Sequence, residues 1–374
     1  MSHKGNMILT LIIFLAVLSI LILAHELGHF LVAKRVGIRV QEFGFGFPPR
    51  LWKKKIGKTI YSLNVLPFGG FVKLYGEELA EKVKVKKEAF WAKSKKAKTA
   101  VIISGVLANF ILAVLAFSIV YSAVGIPTKT EQIKVVGITP DSPADKMGLA
   151  EDDLIIAVDN QPLADLDHFV ELIDQKKGSL VSILVERKKE NLVFSLTPRE
   201  SPPEREGPLG VVVSDMEMVH YPAWQMPFRG VVEGFREAFG WTALVVGGLG
   251  KMIADLVTQG EVPKDIAGPI GILHITSGVA QSGILAVLQF IGILSVNLAV
   301  INIFPFPALD GGRLLFVGYE AVTGRRAHAT FERWVHTVGM LILLFLILLV
   351  TINDISRALE ASPLGTQLRS LWPF

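Results

Sequence analysis

The chain has 374 residues, of which 51% are hydrophobic and 19% charged, with a mean hydropathy of +0.48 and a net charge of +4. Soluble globular proteins carry about a quarter charged residues, so this composition indicates a membrane protein and excludes a disordered chain. The sequence contains no cysteine, which excludes disulfides, thiolate nucleophiles, iron–sulfur clusters and cysteine-bound zinc. A metal ion would therefore be bound through His, Asp or Glu side chains.

Four apolar stretches are long enough to cross a bilayer as helices, which takes about 20 residues. They run over residues 7–33, 99–126, 284–306 and 335–352. A fifth stretch, residues 238–250, is shorter and is interpreted as an amphipathic or interfacial helix. The first stretch is longer than the apolar core of a signal peptide and no A-x-A site follows it, so we expect it in the mature protein.

The basic residues predict how these segments are oriented. Residues 34–98, between the first two spans, contain 17 Lys and Arg, and the loop over 310–333 adds four Arg. Short loops rich in Lys and Arg stay in the cytoplasm. Both termini, and the residues between the second and third spans, are therefore predicted to be extracytoplasmic.

The outer region, about 131–215, is predicted to be a small soluble domain of alternating strands, turns and helices. It resembles a PDZ domain of the bacterial protease-associated type through Gly137, Ser142, Pro143, Ala144, Gly148, Leu149, Asp153 and Ile155. The segment GPLGVVV at 207–213 resembles a carboxylate-binding loop, whose amides would bind a peptide C-terminus. The alternative is a folded spacer or size filter without a ligand.

Residues 40–76 contain GFGFPP and the alternating run KTIYSLNVLPFGGFVKLYG, which predicts strand, turn and strand. Apolar strand faces so close to a span are stable where protein covers them at the membrane. We therefore expect a β-hairpin that dips into the membrane face, with an ordinary cytosolic hairpin as the alternative.

The first apolar stretch contains an H-E-x-x-H motif formed by His25, Glu26 and His29. On a helix, two His four residues apart project from one face at the spacing that zinc requires, and Glu26 can reach a water molecule at the metal. Ionisable residues inside a span are costly and mark function. The alternative is a polar cluster between helices.

A second motif, at the end of the third stretch, begins with Asn302 and includes Pro305 and Pro307 before Asp310. The prolines are expected to break the helix, and broken segments at membrane depth line polar cavities. Asp310 follows the break at the cytoplasmic end, the depth predicted for the two His, so we expect it to be the third metal ligand. Its alternative role is the N-cap of the next helix.

Together these motifs resemble the site-2 protease family of intramembrane metalloproteases, specifically the bacterial branch of sigma-E regulating proteases. The similarity extends through nearly the whole chain. It includes GFGF (44–47), PFGGFVK (67–73), KS (93–94), SGVLANF (104–110), AGPIGI (267–272), SVNLAVINIFPFPALDGGR (295–313) and ND (353–354). Two departures are Val106, which stands where the family often has proline, and a single PDZ-like region where some members have two.

The resemblance implies one Zn²⁺ per chain, bound by His25, His29 and Asp310, with Glu26 as the general base and later the proton donor to the leaving amine. It also implies that residues 58–75 offer a strand edge to the unwound substrate.

Four further residues are implied to bind substrate. Asn302 would hold the substrate strand or polarise the scissile carbonyl, unless it is only a helix-packing amide. Asn109 would assist it, and Pro305 and Pro307 would contribute from the broken segment.

The predicted fold is an α-helical polytopic membrane protein of about four transmembrane helices and a membrane-associated β-hairpin, with an inserted extracytoplasmic α+β PDZ-like domain. The predicted segments are 1–34 (first span), 35–98 (cytoplasmic basic loop and hairpin), 99–127 (second span), 128–215 (PDZ-like domain), 216–283 (linker and interfacial helices), 284–312 (third span), 313–334 (cytoplasmic loop), 335–353 (fourth span) and 354–374 (extracytoplasmic tail).

The implied function is cleavage, in a bacterial cytoplasmic (inner) membrane, of single-span proteins such as anti-sigma factors after a first external cut, and of remnant signal peptides. A catalytically silent PDZ scaffold and a metal or ion transporter are the alternatives. An intact Glu26 disfavours the scaffold, and the small number of spans without an inverted repeat disfavours the transporter. Nucleic acid is not expected as a partner, because the Lys-rich run at 82–98 has few aromatic residues and borders a span near anionic headgroups.

Overall fold

A computed structural model describes residues 3–77, 83–203, 206–259 and 268–360 of the chain. The chain divides into two compact units, of which unit 2 is Val124–Ala223 and unit 1 comprises the residues on either side of it. Most of the predicted C-terminal tail, from residue 361, lies outside the described residues, as does Ala267 of the AGPIGI motif.

The helices and strands are named in chain order. The helices are α1 His3–Arg35, α2 Lys95–Val124, α3 Pro143–Met147, α4 Leu166–Gln175, α5 Met226–Gln259, α6 Pro269–Gln281, α7 Ile284–Ile303, α8 Asp310–Thr323 and α9 Ala329–Glu360. The strands are β1 Val40–Ile56, β2 Thr59–Leu74, β3 Ile126–Ile138, β4 Leu154–Val158, β5 Gln161–Pro162, β6 Val181–Arg187, β7 Glu190–Leu196 and β8 Val211–Val219.

Within the described part of the chain, four helices are long and apolar enough to cross a membrane: α1, α2, α7 and α9. Their number and order are those expected from the apolar stretches. Helix α7 ends at Ile303 because Pro305 disfavours helical backbone at the residue before it and lacks an amide hydrogen. The fifth stretch, 238–250, forms the middle of α5, a longer helix than its run of uncharged residues suggests.

Helix α5 packs closely against α2, since a Cβ on Gly234 would lie 2.5 Å from the Ser118 hydroxyl oxygen. Ala238 of α5, Phe117 of α2 and Val296 of α7 are fully buried in one cluster. These small and apolar side chains hold three helices of unit 1 together and stabilise the part of α5 that precedes the uncharged stretch.

Strands β1 and β2 form the predicted β-structure at the end of α1. Phe43 of β1 pairs with Tyr61 on one side and with Val72 on the other, so the first half of β1 lies between two parts of β2. The chain reverses between Leu66 and Gly70, and the strand–turn–strand pattern predicted for this segment is confirmed. The Phe30 ring of α1 packs 5.0 Å from the ring of Phe43, which holds the sheet beside the H-E-x-x-H motif.

Unit 2 is built around one sheet with strand order β7-β6-β4-β3-β8, and β5 pairs with β4. Its core consists of apolar side chains from these strands together with α3 and α4. The Ser142 side chain caps α3 by accepting a hydrogen bond from the Asp145 amide, and Asp165 caps α4 in the same way. Strand β8 lies at the edge of the sheet and follows a turn in which Gly210 has a φ of 73°.

An ion pair with a buried carboxylate connects β6 to the residue that precedes β4. Both nitrogens of the Arg187 fork donate to the fully buried Asp153 carboxylate, at 2.6 and 2.7 Å. Burial alone would raise the pKa of Asp153, but the hydrogen bonds from Arg187 and from the Ala150 amide outweigh it and hold that pKa below its ordinary value. Asp153 is therefore charged and paired at neutral pH.

Candidate metal centre

Helix α1 presents four polar and apolar side chains along one face, at the spacing i, i+3, i+4 and i+7. Ile22, His25, Glu26 and His29 all line one cavity of unit 1. The 89° angle between the two His rings places them edge to face, with their centroids 4.7 Å apart. The helix period alone therefore brings two imidazoles and one carboxylate to the same place.

Asp310 reaches this face from a segment that is distant in the sequence. It is the first residue of α8, and the N-cap of that helix is Leu309 without a side-chain hydrogen bond. The alternative role of Asp310 as an N-cap is therefore wrong. Gly311 and Gly312 permit the turn, because a Cβ on Gly311 would lie 2.1 Å from the Phe304 carbonyl oxygen.

Three donor atoms converge at one point. Asp310 Oδ2 lies 3.0 Å from His25 Nε2 and 3.0 Å from His29 Nε2, and the two Nε2 atoms are 3.1 Å apart. Among the described residues, these three side chains are the His, Asp or Glu group whose donor atoms lie close enough together to hold one metal ion. Their convergence is the arrangement predicted from the two motifs.

The donor set fits zinc. Tetrahedral zinc with bonds of 2.0–2.1 Å holds its ligand atoms about 3.3 Å from one another, close to the three separations here. Asp310 Oδ2 is buried and has no hydrogen-bond partner among the described residues. The Nε2 atoms of His25 and His29 lie 3.0 Å from it without forming such a bond. A cation bound by all three atoms would satisfy this oxygen, and two His with one carboxylate leave the fourth position of a catalytic zinc site open.

A backbone contact sets the tautomer of one ligand. His29 Nδ1 donates its proton to the Val101 carbonyl oxygen at 2.7 Å, so the Nε2 lone pair faces the centre. Such outer partners orient metal-binding imidazoles and raise their basicity. His25 Nδ1 is buried and has no hydrogen-bond partner in the part of the chain that the structure describes.

Two glycines that the motifs alone do not single out let α1 and α2 approach each other at the candidate metal ligands. A Cβ on Gly105 would lie 2.4 Å from His29 Nε2 and 2.7 Å from His25 Cε1. A Cβ on Gly28 would lie 2.2 Å from the Ser104 carbonyl oxygen. Gly105 belongs to the SGVLANF motif and Gly28 to the H-E-x-x-H motif, but only the tertiary contact reveals what each position requires.

The centre opens into a cavity of about 330 Å³. Glu26 and Asn302 line it together with the ligands, and both side chains are half-buried. The edge of β2 forms another wall through Phe71, Val72 and Leu74. A Cβ on Gly70 would lie 3.9 Å from Glu26 Cγ, so this edge runs beside the carboxylate.

A charged pair closes one side of the cavity. Arg313 Nη1 of α8 lies 2.6 Å from Glu77 Oε1, and Glu77 Oε2 accepts a hydrogen bond from the Leu74 amide. This pair ties the helix that carries Asp310 to the end of β2, which keeps the strand edge next to the ligands.

Three predicted substrate-binding residues do not line this cavity. Asn109 is fully buried within the helices, and neither its oxygen nor its nitrogen has a hydrogen-bond partner among the described residues. Pro307 packs on α9, where a Cβ on Gly339 would lie 2.2 Å from Pro307 Cβ. Pro305 is exposed.

Comparison with known proteins relates most of the chain to peptidases. Residues 13–346 match the model of peptidase family M50. The zinc metalloprotease RasP of Geobacillus kaustophilus is 30% identical, over 93% of this chain and 98% of the relative. The regulator of sigma-E protease RseP of Escherichia coli is 28% identical, over 92% of this chain and 98% of the relative.

RasP of Oceanobacillus iheyensis is 27% identical, over 93% of this chain and 99% of the relative. A PDZ domain of the SdrC-like protein of Listeria monocytogenes is 21% identical over 24% of the chain, with a TM-score of 0.21, which supports no conclusion about fold. The extent of the family match decides the identity: the chain belongs to peptidase family M50, the site-2 protease family of zinc metallopeptidases, as its motifs predicted.

Proposed function

We propose that this peptidase hydrolyses peptide bonds within the transmembrane segments of single-span membrane proteins. The observation that carries the proposal is that Asp310 of α8 meets His25 and His29 on α1, a helix apolar enough to cross a membrane. Anti-sigma factors that another protease has already cut outside, and remnant signal peptides, are the substrates that the family resemblance suggests.

The side chains of the cavity divide the chemistry between them. A zinc ion bound by the two His and Asp310 would polarise the scissile carbonyl and lower the pKa of a water molecule. Glu26 accepts the proton of this water as its oxygen bonds to the carbonyl carbon. Glu26 then gives the proton to the leaving nitrogen as the C–N bond breaks, which yields one carboxylic acid and one amine and regenerates Glu26.

The substrate has to be extended before it reacts, because a peptide bond inside a helix is hydrogen-bonded and shielded. The edge of β2 beside the cavity, over residues 70–73, can pair through its backbone with such an extended segment, whereas the Leu74 amide already donates to Glu77. Asn302, in the last turn of α7, donates its amide to the substrate backbone or to the scissile carbonyl. Pro305 and Pro307 assist by ending α7 before the cavity.

The proposed orientation follows from charge. The 17 Lys and Arg of residues 34–98 keep that loop in the cytoplasm of a bacterial cell, so both termini and unit 2 are outside. Unit 2 then inspects the outer part of a substrate, either by binding its new C-terminus beside β8 or by excluding large domains. The free edge of β8 and the Gly210 turn before it support the first of these modes.

The test is to reconstitute the full chain in liposomes with a tagged single-span protein and to map the cleavage site by mass spectrometry. The proposal predicts a cut inside the apolar segment, and a slower cut when the segment is replaced by uniform leucine, which resists unwinding. Cleavage confined to the aqueous tails, or equal cleavage of a soluble unfolded protein, would contradict it.

A further inference from the structure

The turn that delivers the third metal ligand contains a strained residue. Pro307 and Ala308 are the central residues of a turn closed by a hydrogen bond from the Leu309 amide to the Phe306 carbonyl oxygen, at 3.2 Å. Proline followed by a positive φ, here 77° at Ala308, is the pattern of a type II turn. Glycine or asparagine is usual at that second position, because a Cβ disfavours left-handed backbone.

A histidine of the fourth span holds this turn. The Ala308 amide donates a hydrogen bond to His336 Nδ1 of α9, at 3.0 Å. His336 Nδ1 is therefore the unprotonated nitrogen, and Nε2, which is buried, has no partner among the described residues. Within the described part of the chain, the bond from the Ala308 amide is therefore the hydrogen bond that the His336 side chain makes.

The ring is itself held in place. The Phe316 ring of α8 lies 5.4 Å from the imidazole of His336. One turn further along α9, Gly339 lets the helix approach Pro307, since a Cβ there would lie 2.2 Å from Pro307 Cβ. His336 and Gly339 therefore form one face of α9 that packs on the Pro307–Ala308 turn.

We propose that His336 is a positioning residue for the metal centre: it holds Ala308 in the left-handed conformation that aims Asp310 at the two His ligands. Asp310 follows Ala308 by two residues, so a change of the Ala308 backbone would swing the carboxylate away from His25 and His29. The inference rests on the proposed zinc chemistry, but it concerns the assembly of the site rather than the substrate.

The test compares two substitutions of similar size that differ in hydrogen bonding. His336→Leu removes the acceptor, whereas His336→Asn keeps a side-chain oxygen that can accept the Ala308 amide. Outer partners of metal ligands are worth about 10–100-fold in metal affinity, so His336→Leu should raise the zinc dissociation constant by that factor. His336→Asn should stay near the wild type. The exposed His328, immediately before the same helix, provides the control His328→Ala.

A second change separates positioning from general packing. Glycine adopts a φ of 77° without strain, so Ala308→Gly should restore most of the zinc affinity to the His336→Leu protein. The visible spectrum of the cobalt-substituted protein should change in His336→Leu and return toward the wild type in the double variant. Both readouts are independent of peptide cleavage.

The outcomes are decisive. Wild-type zinc affinity in His336→Leu would overturn the inference while leaving the proposed function intact. A loss of affinity that neither His336→Asn nor Ala308→Gly restores would also overturn it, because the ring would then act through bulk alone. A wild-type chain that binds no zinc would overturn the proposed function together with this inference.

Discussion

Gly105 is the position at which a single methyl group tests the geometry of the metal centre most sharply. In Gly105→Ala the new Cβ would lie 2.4 Å from His29 Nε2, whereas unstrained contacts need about 3.5 Å. The ring or α2 therefore has to move by about 1 Å. A misplacement of that size in a catalytic site costs about 100-fold in kcat/KM, which is about 2.7 kcal/mol of transition-state stabilisation.

The assay is cleavage of a single-span substrate in liposomes, together with zinc per chain and helicity by circular dichroism. Alanine favours a helix over glycine by about 0.5–1 kcal/mol, so the fold should survive. Gly240→Ala, in α5, is the matched control, because a Cβ there meets nothing within 4 Å. Wild-type kcat/KM in Gly105→Ala would refute the close approach of α2 to the ligands.

Two further predictions concern other contacts. The lowered pKa of Asp153 stabilises unit 2 above the unfolded value of about 3.9, and this stabilisation disappears as the pH falls through the folded pKa. Arg187→Met should therefore lower the free energy of unfolding of unit 2 by about 3 kcal/mol at neutral pH, and by progressively less below about pH 4. Hydrogen exchange in β4 and β6 measures this loss, and an equal loss at all pH values would contradict the prediction. Asp354 of α9 accepts a hydrogen bond from the Gly271 amide at 2.8 Å and so caps α6. Asp354→Ala should therefore speed hydrogen exchange at the start of α6, by about tenfold if the cap contributes about 1.4 kcal/mol. Unchanged exchange would contradict the cap.

Much of unit 1 could be predicted because its determinants are local. Apolar runs of bilayer length predict the spans whatever they pack against, and the four-residue spacing of His25 and His29 places both on one helix face. Asp310 required one further step, the comparison of depths in two separate segments. That step succeeded because the prolines end α7 and fix where the next helix begins.

The rest depends on contacts between distant segments. Nothing in the sequence around Gly105 or His336 shows that one must leave room for an imidazole or that the other accepts the Ala308 amide. Asn109 is the converse case: its motif predicts a substrate-binding amide, whereas the structure buries the side chain fully and does not place it in the lining of the cavity. The N-terminal half of α5 is also not predictable from its composition, because small residues such as Gly234 pack it on α2 in a contact that only the structure reveals.

The proposed role of Glu26 as the base of a zinc-dependent reaction is tested most directly by its amide variant. The measurement is cleavage of a tagged single-span peptide, in bilayers, by the wild type and by Glu26→Gln, with zinc counted in both. We predict cleavage by the wild type, none by the variant, and one zinc per chain in each, because Glu26 is not a ligand. Undiminished cleavage by Glu26→Gln would contradict the account.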